Sequence, residues 1–427
     1  MVTIQALRQV IATYRDLNPG KQLVRRDTDI NAFPRCVFTG VRVAGKSTLM
    51  IQKMRELISG GTPPDQVVYI PFNDERLLGF DHLDFDKILQ AHAEMNPEAG
   101  RPWLFLDEIQ EIEGWENFAR RLADTGYKAF ITGSNARMLS SDIATKLGAR
   151  YVNIHVFTFS LREFLRSRDI PCDPSVTDNT LACARIRGAC REWLSNGGFP
   201  EVVLSGGFPN AYLNGIYQQI YEGDIIARNG FENKFALRLL LKKTAEGVGR
   251  PLSFSRLQGI VSSAGARIGK ATVIRYMESA CEAFLLYPIR NFADKLVARE
   301  TNPKYFFADN GILKLLARDP ASAQFENAIA LALLRRYGTD ERVFFYEDDR
   351  GTDVDFYIPE EETAIQACLR LDASDATSTR ETAALLKLGN RLDCRRLLIL
   401  TLEEERTIED KGRKIEVMPL WKWLLGL

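Results

Sequence analysis

The stretch Gly40–Ser47, which reads GVRVAGKS, decides the fold of this chain. It has the spacing GxxxxGK[ST] and stands between a short apolar run, Arg35–Thr39, and a segment with apolar residues at helical spacing, Lys46–Ser59. Glycines in such a loop let backbone N–H groups curl around phosphate oxygens, and the start of the following helix adds positive potential. Because a chance Gly-rich loop rarely stands between a strand and a helix, the stretch predicts a phosphate-binding loop.

The residues that end the loop have distinct expected roles. We expect Lys46 to reach the β- and γ-phosphates of a nucleoside triphosphate and to act in its hydrolysis. We expect the Ser47 hydroxyl to ligate Mg²⁺. The residues predicted to line the nucleotide site are Gly40, Val41, Arg42, Val43, Ala44, Gly45, Lys46, Ser47 and Thr48.

A pair of acids follows a later apolar strand. Trp103–Leu106 reads WLFL and runs directly into Asp107 and Glu108. Asp107, at the carboxyl end of a buried strand, is predicted to hold Mg²⁺ through water, and Glu108 to polarise the attacking water. A solvated pair of loop carboxylates is the alternative, and the four apolar residues before the pair weaken it. The pair also argues against a small-molecule kinase, whose phosphate acceptor is not water.

A third polar group ends the next strand. The segment Ile131–Asn135 (ITGSN) places Ser134 and Asn135 where a side chain senses the γ-phosphate or positions water. Both residues are equally good candidates for that catalytic role. A simple turn competes with either of them.

The rest of the first half alternates strand and helix patterns. A helix predicted at Trp115–Asp124 separates two of the strands. Near-continuous apolar strands that alternate with helices predict an α/β fold, a parallel sheet with helices on both faces. The further strands predicted here are Val67–Phe72, Lys128–Thr132 and Tyr151–Val156.

Length and composition bound the remainder. A chain of 427 residues exceeds a single core, so we expect two to four domains. Lys plus Arg and Asp plus Glu number 56 each, which gives no overall attraction to nucleic acid or membrane. Seven scattered cysteines without a CxxC pair predict neither a disulfide framework nor a zinc site. Without an apolar stretch near membrane length or a signal peptide, the expected location is the cytoplasm, away from membranes.

The succession of motifs resembles one family. FTGVRVAGKSTL, FLDEIQEIEGWE, ITGSNARMLSSDIATKLGARYVNIHVFTFSLREFL, LSNGGFPEVVL and YFFADNGIL are similar to the prokaryotic AAA-superfamily ATPases that carry a C-terminal domain of unknown function. The resemblance runs over almost the whole chain. It implies a P-loop NTPase core with an additional strand, and ATP as the nucleotide.

The resemblance also implies two further features. Arg150 resembles the arginine of an LxGR segment that contacts the γ-phosphate, in cis or from a neighbour in a homo-oligomer. Here glycine and alanine are exchanged, and a surface salt bridge is the alternative role. The segment from Leu252 resembles a winged helix, with Lys270 and Arg275 on or beside its third helix. Such helices contact DNA in many proteins, although others only pack against neighbouring elements.

The last block has the element order of a restriction-endonuclease-like core. Glu326 lies on a helix, and Asp353 and Asp355 lie in TDVDFYI. Nuclease versions need a final acid and a lysine two residues later, where this chain has Gln366 and Cys368. We therefore expect a nuclease-like fold without robust nuclease activity. A solvated acidic edge or an unrelated βα module is the alternative.

These patterns lead to one division of the chain. It predicts an ATPase domain over 1–168, a helical and winged-helix region over 175–318, and a degenerate restriction-endonuclease-like domain over 319–427. The expected function is Mg²⁺-dependent ATP hydrolysis that drives or gates a conformational change in the C-terminal domains, together with an unknown protein partner. The alternative is an ATP-dependent DNA-binding protein or nuclease.

Overall fold

A computed structural model describes residues 2–15, 23–30, 32–135, 138, 141–205, 209–339, 341–371, 376–410 and 412–427. By contacts between Cα atoms these residues form two compact units, Met1–Val156 and Phe157–Leu427. The predicted first boundary at residue 168 lies inside the second unit. The division into three domains stays a prediction.

The first unit holds a five-stranded parallel sheet. Its strands are β1 (Arg35–Thr39), β2 (Val67–Pro71), β3 (Trp103–Asp107), β4 (Lys128–Gly133) and β5 (Val152–His155). They lie in the order β2-β3-β4-β1-β5, and every neighbouring pair is parallel. Because β4 lies between β1 and β3, the expected additional strand is present. The α/β fold class predicted from the alternating pattern is confirmed.

Five helices connect the strands or precede them. They are α1 (Ile4–Arg15), α2 (Lys46–Ser59), α3 (Phe85–Met95), α4 (Trp115–Asp124) and α5 (Ser141–Leu147). In α1 the buried residues Leu7, Val10 and Ile11 fall on one face, which packs with α3 and β2. The interiors of β1 to β4 are buried, as the apolar runs predict for a sheet that is covered on both faces. The edge strand β5 is exposed or half-buried.

The second unit begins with helices. They are α6 (Leu161–Ser167), α7 (Thr180–Asn196), α8 (Pro200–Leu204), α9 (Pro209–Gln218), a π-helix (Gln219–Ala227), α10 (Lys234–Glu246), α11 (Phe254–Ser263) and α12 (Lys270–Glu282). The last three pack against one another. The antiparallel strands β6 (Leu286–Asn291) and β7 (Lys304–Phe307) follow them, with α13 (Leu296–Thr301) between the two strands.

The second unit ends in a mixed sheet. The remaining elements are α14 (Asn310–Leu316), α15 (Ala321–Tyr337), β8 (Phe344–Glu347), β9 (Asp353–Ile358), β10 (Thr363–Ala367), α16 (Ala376–Leu392), β11 (Arg396–Thr401), β12 (Arg406–Asp410), β13 (Arg413–Pro419) and α17 (Leu420–Leu425). With β6 and β7 the strands form an eight-stranded sheet in the order β12-β13-β11-β10-β9-β8-β6-β7. Within the described ranges, no helix is long and apolar enough to cross a membrane.

Candidate active site

The phosphate loop follows β1 and ends where α2 begins. Gly40 has φ +143°, Gly45 has φ +96°, and Val43 also takes a positive φ of +64°. A β-carbon on Gly40 would lie 2.2 Å from the carbonyl oxygen of Val156, which directly follows β5. The first position of the loop therefore admits only glycine, because the next strand passes too close for any side chain.

Lys46 is held inside the loop. Its side chain is buried, and its Nζ donates hydrogen bonds of 3.0 and 3.1 Å to the carbonyl oxygens of Gly40 and Val41. A second cation, Arg26, also contacts the loop. Its side chain is buried, and its Nη1 donates a hydrogen bond of 2.8 Å to the Ala44 carbonyl oxygen. The ammonium of Lys46 thus lies in the concave side of the backbone that the sequence predicted to receive phosphate.

Asp107 lies buried at the carboxyl end of β3. Its Oδ2 accepts a hydrogen bond of 2.5 Å from the Tyr69 hydroxyl, and its Oδ1 accepts one from the Thr132 hydroxyl. The Ser47 hydroxyl also hydrogen-bonds to this carboxylate. Burial raises the pKa of Asp107, and the three hydroxyl donors counteract part of that rise. The structure therefore brings together the two residues predicted to hold Mg²⁺, Ser47 and Asp107.

The donor set fits a magnesium ion. A carboxylate and a hydroxyl are hard oxygen ligands, and Mg²⁺ in nucleotide sites takes only one or two protein ligands beside water and phosphate. Among the described residues no group of three His, Cys, Asp or Glu side chains is arranged to hold a metal. That finding agrees with a site in which nucleotide completes the coordination.

Glu108 takes an unusual backbone conformation beside Asp107. Its φ is +54°, a left-handed value that non-glycine residues seldom adopt. Its amide donates to Thr132 Oγ1 at 2.8 Å, and its Oε2 accepts from Gln110 Nε2 at 2.5 Å and from Ser134 Oγ at 3.4 Å. These contacts hold the side chain at the same edge of the sheet as the phosphate loop. Such local backbone strain is common where a side chain must be aimed at a reacting group.

Thr132 is the residue that sequence reasoning missed. It lies on β4, and its hydroxyl joins the carboxylate of Asp107 to the backbone of Glu108. Of the two predicted candidates after β4, Ser134 contacts Glu108, while both Ser134 and Asn135 are buried. The signal for Thr132 was its place two residues before Ser134, on the buried end of an apolar strand.

Arg150 lies at the other edge of the sheet. It precedes β5, whose start pairs in parallel with the start of β1, whereas the phosphate loop follows the end of β1. Its Nε donates to Asp124 Oδ1 at 2.5 Å, where α4 ends. A strand of five residues spans about 16 Å, so the structure does not bring Arg150 to the phosphate loop of its own chain. Contact from a neighbouring copy stays a prediction.

The acids of the last block do meet. Lys304 Nζ lies 3.5 Å from Asp355 Oδ1, 3.9 Å from Asp353 Oδ1 and 4.0 Å from Glu326 Oε1. The sequence placed the missing lysine at Cys368, but the lysine at these acids comes from β7 instead. A lysine that opens the apolar strand KYFF was the available signal.

Three groups in this cluster have displaced pKa values, and burial raises the pKa of one of them, Asp355. Burial and the negative charge of Asp355 raise the pKa of Glu326 to about 8. Burial opposes the charge of Lys304, but the carboxylates of Asp355, Glu326 and Asp353 outweigh it and raise the pKa of that lysine. The ammonium therefore stays charged across the physiological range.

The residues predicted for DNA contact differ in their surroundings. Lys270 is exposed at the first residue of α12. The Arg275 guanidinium is exposed as well and lies 5.5 Å from the centre of the Phe231 ring. Of these two residues, Lys270 is therefore the one whose charge is not stacked on an aromatic ring of the same unit.

The strand order, the phosphate loop and the two acids give the first unit the parallel-sheet fold of P-loop NTPases. Residues 33–165 match the family described as AAA domain, and residues 187–323 match a domain of unknown function (DUF8612). The chain thus joins a region similar to AAA domains to a region similar to a domain of unknown function.

Two curated proteins are similar along nearly the whole chain. Uncharacterized protein MJ1544 of Methanocaldococcus jannaschii is 27% identical over 428 residues, covering 98% of this chain and 94% of its own. An uncharacterized protein of Haemophilus influenzae is 28% identical over 414 residues, covering 95% of this chain and 97% of its own. Among solved structures, the Walker-type ATPase paby2304 of Pyrococcus abyssi matches with a TM-score of 0.41 and 13% identity, over 71% of this chain and 99% of its own.

Proposed function

We propose that this protein is a Mg²⁺-dependent ATPase whose hydrolysis cycle drives or gates a conformational change in its C-terminal region. The observation that carries the proposal is the Thr132 hydroxyl. It bonds both to the carboxylate of Asp107 and to the backbone of Glu108, at the sheet edge that also holds the phosphate loop. A metal-binding acid and a second acid fixed side by side next to a phosphate loop suit hydrolysis by water.

Each residue has a role in this scheme. Lys46 exchanges its hydrogen bonds to the loop carbonyls for phosphate oxygens, and Ser47 and Asp107 hold the metal. When bound, Mg²⁺ neutralises charge on the phosphates. Glu108 accepts a proton from the attacking water. The oxygen of that water bonds to the γ-phosphorus, and the bond between the γ-phosphorus and the leaving ADP oxygen breaks. Gln110 and Ser134 orient the Glu108 carboxylate for that transfer.

The coupling to the C-terminal region runs through the residues that follow β5. The Val156 amide donates to the Thr39 carbonyl oxygen at 2.7 Å, directly before the phosphate loop. Three residues later, the Phe159 amide donates to the Gly198 carbonyl oxygen at 2.6 Å, and Trp193 Nε1 donates to the Phe159 carbonyl oxygen at 2.9 Å. A movement of the phosphate loop against Val156 therefore displaces the segment Val156–Phe159. Hydrogen bonds hold both ends of this segment, so the displacement reaches the start of the second unit.

Phosphate release from purified protein tests the hydrolytic part. Lys46→Ala and Glu108→Gln should each lower turnover at least about 100-fold, because one removes phosphate binding and the other the proton acceptor. The exposed Glu113, which also follows β3, gives the matched control Glu113→Gln, which should keep wild-type turnover. Wild-type phosphate release from either site variant would overturn the proposal.

Hydrogen exchange tests the coupling. We expect a non-hydrolysable ATP analogue to change amide protection in the wild-type region after Phe157. Trp193→Phe keeps an aromatic ring but removes the indole N–H that donates to the Phe159 carbonyl oxygen. The variant should therefore keep ATP turnover and lose the change in amide protection. An analogue that alters protection only before Val156 in the wild-type protein would refute the gating role and leave the ATPase proposal standing.

DNA binding through the winged-helix-like segment is a second candidate function. Three packed helices followed by an antiparallel strand pair support it, as does the exposed pair Arg267 and Lys270 at the start of α12. Fluorescence anisotropy with duplex DNA would test it. Affinity that falls with salt, and falls again in Lys270→Glu, is the expected result. Equal affinity of wild type and variant would exclude this surface.

The remaining expectations belong to the same proposal. We propose a cytoplasmic protein that acts with a protein partner and that forms a homo-oligomer when Arg150 completes a neighbouring site. Nuclease activity is not expected of the C-terminal region.

A further inference from the structure

A cavity of about 970 Å³ lies in the second unit, between α15, the ends of β9 and β10, and α16. Six carboxylates line it, and four of them belong to the elements just named. Glu326 comes from α15, Asp353 and Asp355 from β9, and Glu381 from α16. The proposed ATPase cycle uses none of them.

One buried cation reaches the centre of this group. The Lys304 side chain is 1% exposed and passes 4.9 Å from the centre of the Phe345 ring to its acidic neighbours. Its Nζ lies between 3.5 and 4.0 Å from carboxylate oxygens of Asp355, Asp353 and Glu326. Leaving a lysine ammonium buried is costly unless it is paired, so these carboxylates are what keep it there.

Three of the other polar groups of the cavity, Gln366, Glu381 and Arg380, are already engaged. Gln366 accepts from the Asp355 amide at 2.7 Å and donates to the Asp353 carbonyl oxygen at 3.1 Å and to Glu381. Arg380 pairs with Glu381 at 2.6 Å. For Asp355, Asp353 and Glu326, Lys304 is the cation that the described residues supply within ion-pair distance.

Glu326 is fixed in place although one of its oxygens lacks a hydrogen bond. Its Oε1 is buried and has no hydrogen-bond partner among the described residues. Gly249, at φ +82°, approaches so closely that a β-carbon there would lie 2.1 Å from Glu326 Oε2. The backbone at Gly249 therefore borders this carboxylate directly, and a side chain at that position would collide with it.

We propose that the Lys304 ammonium occupies the position of a divalent cation, so that the acidic cavity is a latent metal site filled by the chain itself. A bound Mg²⁺ would draw oxygens to about 2.1 Å from itself. The ammonium instead keeps three carboxylates apart, which agrees with the absence, among the described residues, of any grouping able to hold a metal. The cavity then takes no divalent cation while the lysine is present, and takes one when the lysine is shortened.

Manganese titration of the full-length protein without nucleotide tests the proposal, with free Mn²⁺ followed by electron paramagnetic resonance. Lys304→Ala should lower the melting temperature by roughly 5–10 °C, because the largely buried carboxyl groups of Asp355 and Glu326 lose their counter-charge. It should bind one Mn²⁺ at least about tenfold more tightly than the wild type, and Mn²⁺ should restore the melting temperature. The matched variant Lys304→Ala with Asp355→Asn should lose that binding.

Two outcomes would overturn the proposal. The first is Mn²⁺ binding by the wild-type protein that disappears in Asp355→Asn, because the metal and the lysine would then share the cavity. The second is a folded Lys304→Ala protein that binds no more Mn²⁺ than the wild type. The wild-type titration decides the first outcome even where the variant fails to fold. ATP turnover in the first unit reports folding separately from binding.

Discussion

The Tyr69 hydroxyl donates a hydrogen bond of 2.5 Å to Asp107 Oδ2, and so joins β2 to the carboxyl end of β3. Burial raises the pKa of Asp107, and this hydrogen bond favours the charged form and lowers it. The carboxylate must be ionised to hold Mg²⁺. Activity is therefore expected to be lost as pH falls through the pKa of Asp107.

Tyr69→Phe removes the donor, so the pKa of Asp107 should rise further. We expect the acid limb of kcat/KM for MgATP to move to higher pH, with less change above neutrality. The control is Tyr14→Phe, which removes a tyrosine that donates to Asp74 instead. Superimposable pH profiles of the Tyr69 variant and the wild type would contradict the assignment.

Thr132→Val replaces a hydroxyl with a methyl group of similar size. It leaves Asp107 Oδ1 and the Glu108 amide each without a partner at the site. We expect kcat to fall about 10–100-fold, because Glu108 loses its alignment with the water. Thr132→Ser keeps the hydroxyl and should retain most of the activity. A Val variant with wild-type kcat would remove Thr132 from the site.

Gly40→Ala places a β-carbon 2.2 Å from the Val156 carbonyl oxygen. The free energy of unfolding should fall by about 1–3 kcal/mol, and ATP affinity should fall with it, because the loop must move off β5. Gly61→Ala is the matched control. Gly61 also has a positive φ, +96°, but nothing lies within 4 Å of its β-carbon position. Equal losses of ATP affinity in both variants would show that the contact with Val156 is unimportant.

Arg150→Ala breaks an ion pair with Asp124 in which both side chains are partly exposed. Surface pairs contribute about 0–1 kcal/mol, so stability should change little. Turnover of dilute protein should match the wild type, because the arginine lies far from its own phosphate loop. If turnover rises with protein concentration in the wild type and not in the variant, Arg150 acts on a neighbouring copy. A loss of turnover in dilute monomer would contradict the structure.

The local sequence was enough to predict the phosphate loop and the two acids. Lys46 and Asp107 each follow from a strand and the residues that directly succeed it, and the α/β fold follows from the same alternation. Tyr69 and Thr132 could not be assigned in this way, because their roles depend on β2 and β4 lying on either side of β3. Strand order is a property of long-range pairing, which the spacing of motifs does not contain.

Two further differences have the same origin. Arg150 matched a motif, but only the parallel pairing of β5 with β1 shows at which end of the strands it lies. Lys304 was not predicted, because the motif places the lysine close to Gln366 in the sequence. In the structure the lysine lies on β7 and the two aspartates lie on β9, and their side chains approach one another. The strands β12 and β13 were not predicted, since β12 alternates between partly and fully exposed residues at the edge of its sheet.

The contacts of Lys46 bear on how ATP will bind. Before nucleotide arrives, the ammonium already has two hydrogen bonds of 3.0 and 3.1 Å to loop carbonyls. Binding must exchange these bonds rather than add to an unsatisfied charge, so the measured affinity reports a difference between two paired states. A small anion such as inorganic phosphate makes few other contacts that could compensate for the loss of these two hydrogen bonds. The phosphate loop should therefore discriminate against simple phosphate in favour of a full triphosphate bearing its metal.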